Sequence, residues 1–548
     1  MNKQASLLSK LFSIRNQYGK QFASQKIKLL EALQSEKITG KNALQTYHGV
    51  LLFLSAYPDN AAVYQLAKNA LLQIPGNVSS RDSIRYRLYN TGIPGTQLSA
   101  AYGFEIVKWL RRTYPKNVRL VSFEAEDGAI RSIVSVVMRR VESEILMDAN
   151  AEWKPWIKAM LKKGEDLLDG LIAIFDQADM RPEARDELWN AIGINVEIDI
   201  PAQESIPASL FDPFYHRTLV KKHFIQQPLA KPKQQQITDA EAAQIIDSSR
   251  MILVRHLREI DPISFTLPRL ISYYRLSHGL SVALMGMTKE RRNPIDCYMG
   301  YVVFKNGLPV AYAGSWILFD SGRIGLNIFP AYRGGESAFI FDQVLQLHRR
   351  VYRLNRFTVD PYQLGKDNHD GIHSGAFWIY YRVGFRPLQE EQRQLAATEA
   401  QKIKKQQGYR SSYSVLTKLA NTRQEWILQK KAVRFDATDW SRVYTRILDQ
   451  QFKGDRKMAE EKCFTRVVEI LGLKNYQEPK LQFVIKNWCV FLISNEAELI
   501  RNSALKKELK KIFDLKARGS EEEYIQTLQR SGSVRKFVES IVNPARES

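Results

Sequence analysis

Cysteine is scarce in this chain of 548 residues: Cys297, Cys463 and Cys489 are widely separated and odd in number, with no Cys-x-x-Cys pair and no Cys/His metal spacing. The sequence therefore offers no disulfide framework and no zinc motif, and a reducing compartment fits it best. Long apolar runs are missing too. The longest, residues 50–56 and 489–493, fall far short of the roughly 20 residues that span a bilayer. Near the start, Gln4, Ser6, Ser9 and Ser13 break up the apolar core that a secretory signal requires. A soluble, cytoplasmic chain with no membrane span is expected. No repeat recurs at a solenoid period. With 44% hydrophobic and 25% charged residues, the composition is that of a globular protein rather than a disordered or collagen-like one.

Acidic residues are in deficit. Lys and Arg total 80 against 58 Asp and Glu, a formal charge of +22, which suits a polyanion, an acidic membrane surface or an acidic cofactor about equally. The length allows at least two cores. Residues 1–225 read as a helical domain, because Leu29, Leu30 and Leu33, then Leu44, Tyr47, Leu51 and Leu54, then Ile106, Trp109 and Leu110 recur at three- and four-residue intervals. Residues 226–259 read as a linker followed by a helix, the linker being clearest at 226–236, where two prolines interrupt a polar stretch.

Near residue 296 the apolar period changes from helical towards alternating. Residues 297–305 and 308–318 flank Asn306-Gly307, the strongest short hairpin signal. Residues 323–329 supply a third strand that stops at Pro330. A helix follows with Ile340, Val344, Leu347 and Val351 on one face, then a short strand at 357–359, then a helix at about 375–382 with Gly384 as its C-cap. Residues 391–548 return to helix, with basic clusters at 402–405, 430–434 and 506–518. Such clusters are solvated faces by default; the last also offers a surface to nucleic acid or another acidic partner.

The turn Ile328-Phe329-Pro330-Ala331-Tyr332-Arg333-Gly334-Gly335 opens the first of these helices, and Ala376-x-x-x-Tyr380-x-x-x-Gly384-Phe385 ends the segment. In this order of elements, residues 260–390 resemble the Gcn5-related N-acetyltransferase (GNAT) superfamily. Ala376, Tyr380, Gly384 and Phe385 match its A-x-x-x-Y-x-x-x-G-F pattern, and Arg333 and Gly334 match the start of its P-x-x-R-G-x-G-x-G turn. The resemblance implies an α+β fold, a GNAT-like mixed and mostly antiparallel sheet with helices, flanked here by all-α N-terminal and C-terminal regions. It also implies acetyl-CoA or another acyl-CoA as donor. The pyrophosphate would lie on Arg333, Gly334, Gly335, Ser337 and Ala338, and the pantetheine arm along the strand ending near Ile328.

The residues support that turn in their own right. Backbone N–H groups at a helix start are unpaired and electropositive, and glycines let an anion approach them closely; the other reading is a plain tight turn. Glu336 stands where the family has glycine. Facing a phosphate at about 5 Å, it would repel it by about 3 kcal/mol per charge at an effective dielectric near 20. Either it turns away, as a side chain in solvent at a helix start can, or donor binding is altered.

By the resemblance, Tyr380 returns a proton to the departing thiolate after an amine attacks the thioester, with neighbouring Tyr381 as the alternative phenol. His373 stands where the family often has asparagine. An amine with a pKa near 10.4 needs a base, for which Asp360 and Glu336 are candidates. His369 and His373 lack a third ligand, so no metal is expected. The leading expectation is an acyl-CoA-dependent N-acyltransferase acting on an unidentified amine. The alternative is a catalytically silent GNAT-like scaffold that binds nucleic acid or another acidic partner through its basic C-terminal helices. An aminoacyl-tRNA donor, used by relatives that carry two copies of the domain, is a third reading disfavoured by the single copy here.

Overall fold

A computed structural model describes residues 3–542 apart from 37, 39, 80–81, 148–151, 203–204, 221–231 and 475. Four helices open the chain: α1 (Lys3–Ile14), α2 (Lys20–Gln34), α3 (Lys41–Ala56) and α4 (Ala61–Ser79). The periodic residues Leu30, Leu33, Leu44, Tyr47, Leu51 and Leu54 are all buried. α3 is apolar on every side in its second half and lies accordingly in the interior, between α4 and the main sheet.

The expectation of an all-α N-terminal region fails beyond α4. β1 (Gln97–Ala101), β2 (Val118–Phe123) and β3 (Ile194–Asp199) form an antiparallel sheet in the order β1-β3-β2. Helices close over it around a separate core containing Trp109, Trp153, Phe175 and Trp189. β3 alternates strictly, with Ile194, Val196 and Ile198 inward, a strand period that the surrounding helical spacing obscured.

Residues 226–231 of the expected linker lie outside the described residues. Beyond them, β4 (Lys233–Gln235) is an edge strand on β5 rather than linker; its polar side chains gave no signal because ladder bonds come from the backbone. The Asp239–Arg255 helix follows, started by a capping box of Thr238 and Glu241.

The main sheet comprises β4, β5 (Ile271–Arg275), β6 (Leu280–Met285), β7 (Cys297–Lys305), β8 (Leu308–Leu318), β9 (Ser321–Ile324), β10 (Asn327–Ile328), β11 (Arg356–Val359), β12 (Arg386–Pro387) and β13 (Gln424–Ile427). Its order is β4-β5-β6-β7-β8-β9-β11-β13-β12, with β10 also on β8. Every pairing is antiparallel except β9 with β11, so the sheet is mixed and mostly antiparallel. Asn306 (φ 47°) and Gly307 (φ 80°) make the hairpin turn in the left-handed conformation it demands. The single strand expected at 323–329 is two, β9 and β10. Nor is the C-terminal region all-α: β13 enters between β11 and β12, a four-residue strand too short to announce itself. The remaining helices pack around Trp440, Trp488, Phe491 and Phe513. Among the described residues no helix is long and apolar enough to cross a membrane.

Candidate functional site

β9 and β10 pair with β8 in one continuous register, Ile324 opposite Ser315 and Asn327 opposite Tyr312. The ladder is nevertheless interrupted at Gly325-Leu326. On its other side β9 pairs with β11 only over residues 321–323, and β10 has no strand on that side among the described residues, so the two parallel strands part beyond Arg323. Two phenols take the freed peptide. The Tyr301 hydroxyl donates to the Gly325 carbonyl. The Tyr380 hydroxyl accepts the Leu326 N–H at 3.1 Å and donates to Gln363 Oε1 at 3.4 Å.

Tyr380 is 3% exposed, and burial pushes its hydroxyl well above the usual phenol range, against a smaller opposing effect of the Leu326 amide. The phenol therefore keeps its proton at neutral pH and is available only as an acid. The ring of Tyr381 instead lies under the Arg386 guanidinium, 4.1 Å from the centroid.

Past β10, Pro330–Tyr332 makes a short turn into the Ser337–Val351 helix, whose start has no side-chain cap. Ser337 and Ala338 are partly exposed, and Gly334 (φ 85°) has open space where a Cβ would stand. Gly335 is closed on one side, since a Cβ there would lie 2.7 Å from the Tyr57 ring beyond the end of α3. Arg333 is exposed and folds back, its Nε donating to the Ile328 carbonyl at 3.4 Å.

Glu336 does not face solvent. It is 1% exposed and meets Lys305 Nζ at 2.6 Å, the Val220 N–H at 2.8 Å and His216 Nε2 at 3.6 Å. Burial opposes its ionisation, but the His216 and Lys305 contacts outweigh that and hold the carboxyl at about 2. The carboxylate is thus charged and neutralised by the buried lysine, which offsets its repulsion of a phosphate at the helix start and removes it as a free base. Asp360 is engaged as well, between Arg323 Nη1 at 3.3 Å and Arg423 Nε at 2.9 Å. The Tyr413 hydroxyl lies 3.1 Å from His369 Nδ1, and the described residues hold no His/Cys/Asp/Glu group arranged for a metal.

The structure thus gathers Ile328, Arg333, Gly334, Gly335, Ser337 and Ala338 on one turn and sets Tyr380 at the adjoining strand break. Tyr301, Gln363, Tyr57, Lys305 and His216 were missed. Only Lys305 left a trace, as a charge ending an otherwise apolar strand; the others are remote in sequence from what they touch. Compared with known proteins, the chain matches no family model, no curated protein and no solved structure.

Proposed function

We propose that the chain is an acyl-CoA-dependent N-acyltransferase whose donor lies along the parted strands β10 and β11, with its diphosphate at the start of the Ser337–Val351 helix. The observation that carries this reading is the interrupted ladder at Gly325-Leu326, with the protonated Tyr380 hydroxyl on the Leu326 amide. A thioester arm needs a strand edge with no neighbouring strand, and among the described residues β10 has one where β11 departs, its Ile328 carbonyl held only by the exposed Arg333 side chain. A diphosphate needs uncapped amides, and Ser337 and Ala338 supply them.

In the reaction, an amine attacks the thioester carbonyl, the C–S bond breaks, and the thiolate takes the Tyr380 proton. The amine's own proton leaves to water or to a group on the acceptor side, since Asp360 and Glu336 are both held by cations. Calorimetric titration with acetyl-CoA tests the donor. Binding that Gly334→Val weakens is expected, because valine strains the left-handed backbone there without meeting a neighbour; no heat at millimolar ligand sinks the reading.

The engagement of both candidate bases favours a second reading, a silent scaffold for an acidic partner. Retention on nucleic acid that falls steeply with salt, together with indifference to acetyl-CoA, would select it.

A further inference from the structure

We propose that the cavity between α1, α3 and residues 330–333 binds a small molecule with an anionic head and an apolar body. Its volume is about 440 Å³, within the usual range for such ligands. It shares Arg333 with the proposed donor turn but touches none of Gly334, Gly335, Ser337 or Ala338, so it adjoins that turn, and the argument for it does not require an acyl-CoA donor.

Arg15, Arg255, Arg333, His48 and His256 line it without a single carboxylate. Among the described residues neither Arg15 nor Arg333 has an ion-pair partner. Arg15 instead stacks on Phe12, 3.8 Å from the ring centroid, and donates to the Phe12 carbonyl at 2.6 Å. Arg255 is fixed from behind by the Pro201 and Ala202 carbonyls at 2.8 and 2.9 Å. Such preorganised guanidiniums suit a carboxylate or phosphate. The remaining wall, with Val50, Leu52, Ile93 and Ile252, is apolar and suits a hydrocarbon or aromatic body.

Two polar atoms of the lining residues, His48 Nε2 and the Tyr332 hydroxyl, are shut from solvent without a hydrogen-bond partner among the described residues. The concentrated positive charge acts on the imidazoles as well. Burial, then Arg255 and further basic neighbours, lowers His48 to about 3 and His256 to about 4. A bound anion would reverse part of that depression.

The full chain should be titrated by calorimetry with octanoate, octyl phosphate, octanol and octylammonium. Binding of the two acids without the alcohol or the amine is expected, and the tighter acid identifies the head group. Arg15→Gln should weaken that binding about tenfold or more, and Arg15→Lys should restore part of it. Octyl phosphate should also raise the titration midpoints of His48 and His256 in the unaltered chain, read by NMR. Octanol binding as well as the acids, or unchanged binding in a folded Arg15→Gln chain, overturns the proposal. Should that variant not fold, histidine midpoints unmoved by octyl phosphate overturn it alone.

Discussion

Strand β7 carries a buried lysine–glutamate cluster at each end, and the two are built for different work. At the Cys297 end, Lys516 Nζ donates to both Glu521 oxygens at 2.9 and 3.2 Å and to the Asp296 carbonyl at 2.9 Å, and the Cys297 thiol donates to Glu521 Oε2 at 3.0 Å. That cluster seats the Ser503–Arg518 and Glu521–Arg530 helices on the sheet. At the other end, Lys305 Nζ donates to Glu336 and to the His278 carbonyl, both at 2.6 Å, and His216 completes the group. Here the carboxylate belongs to the turn proposed to hold the donor. The same chemistry fastens a flank at one end and sets the charge of a candidate site at the other.

Breaking each pair should expose that difference. Glu521→Gln and Glu336→Gln both leave a buried ammonium without its counter-charge, and each should lower unfolding free energy in urea by about 3–5 kcal/mol. Replacing both partners, as in Lys305→Met with Glu336→Leu, should recover most of the loss. Only Glu336→Gln should change acetyl-CoA affinity, and upward, because a negative charge leaves the neighbourhood of the diphosphate while Lys305 remains. Damage to the turn alone would lower affinity, so the sign separates an electrostatic role from a merely structural one.

Two buried phenols extend the comparison, Tyr524 under the Lys516 ammonium, 4.4 Å from the ring centroid, and Tyr380 at the strand break. Tyr524 donates to the Ile295 carbonyl at 2.6 Å, whereas Tyr380 meets the strand break. Tyr380→Phe should slow acyl transfer about a hundredfold with donor affinity retained, whereas Tyr524→Phe should lower the melting temperature and leave turnover intact. Equal turnover in Tyr380→Phe and the unaltered chain would strip the phenol of its proposed role.

The hairpin at Asn306-Gly307 and the helix through Ile340, Val344 and Leu347 were legible because their signals are local: turn conformation and period reside in a few neighbouring residues. β13 and β4 were not, since strands of four and three residues carry too few positions to show a period. Within the site, the glycines of Arg333-Gly334-Gly335 marked a turn before a helix, while Tyr380 was singled out by the resemblance alone. The direction of Glu336 could not, because it is decided by Lys305 and His216, which only the tertiary fold brings near. Arg15 and His48 lie more than 200 residues from Arg255 and carry no joint pattern with it.

Acid should act on the two ends of β7 with opposite sign. At the Lys305 end, burial depresses His216, and Lys305 adds to the effect against the pull of Glu336. A histidine whose folded pKa lies below its unfolded value near 6.5 binds its proton preferentially in the unfolded chain, so its contribution is present above that value and is lost as pH falls through this window. Fully buried His348, held at about 4 by burial beside Ser315 and outside the Lys305 cluster, adds a background loss of about 2 kcal/mol between pH 7 and pH 5. At the Cys297 end, burial raises Asp296 above the model-peptide value of 3.8. The folded chain then binds the proton more readily, and stability is gained as pH falls through the raised value. Urea unfolding at pH 7 and pH 5 should therefore show a net acid loss that His216→Gln reduces and Asp296→Asn enlarges. Movement of both variants in the same direction would mean that the two ends of the strand do not differ in the way their contacts imply.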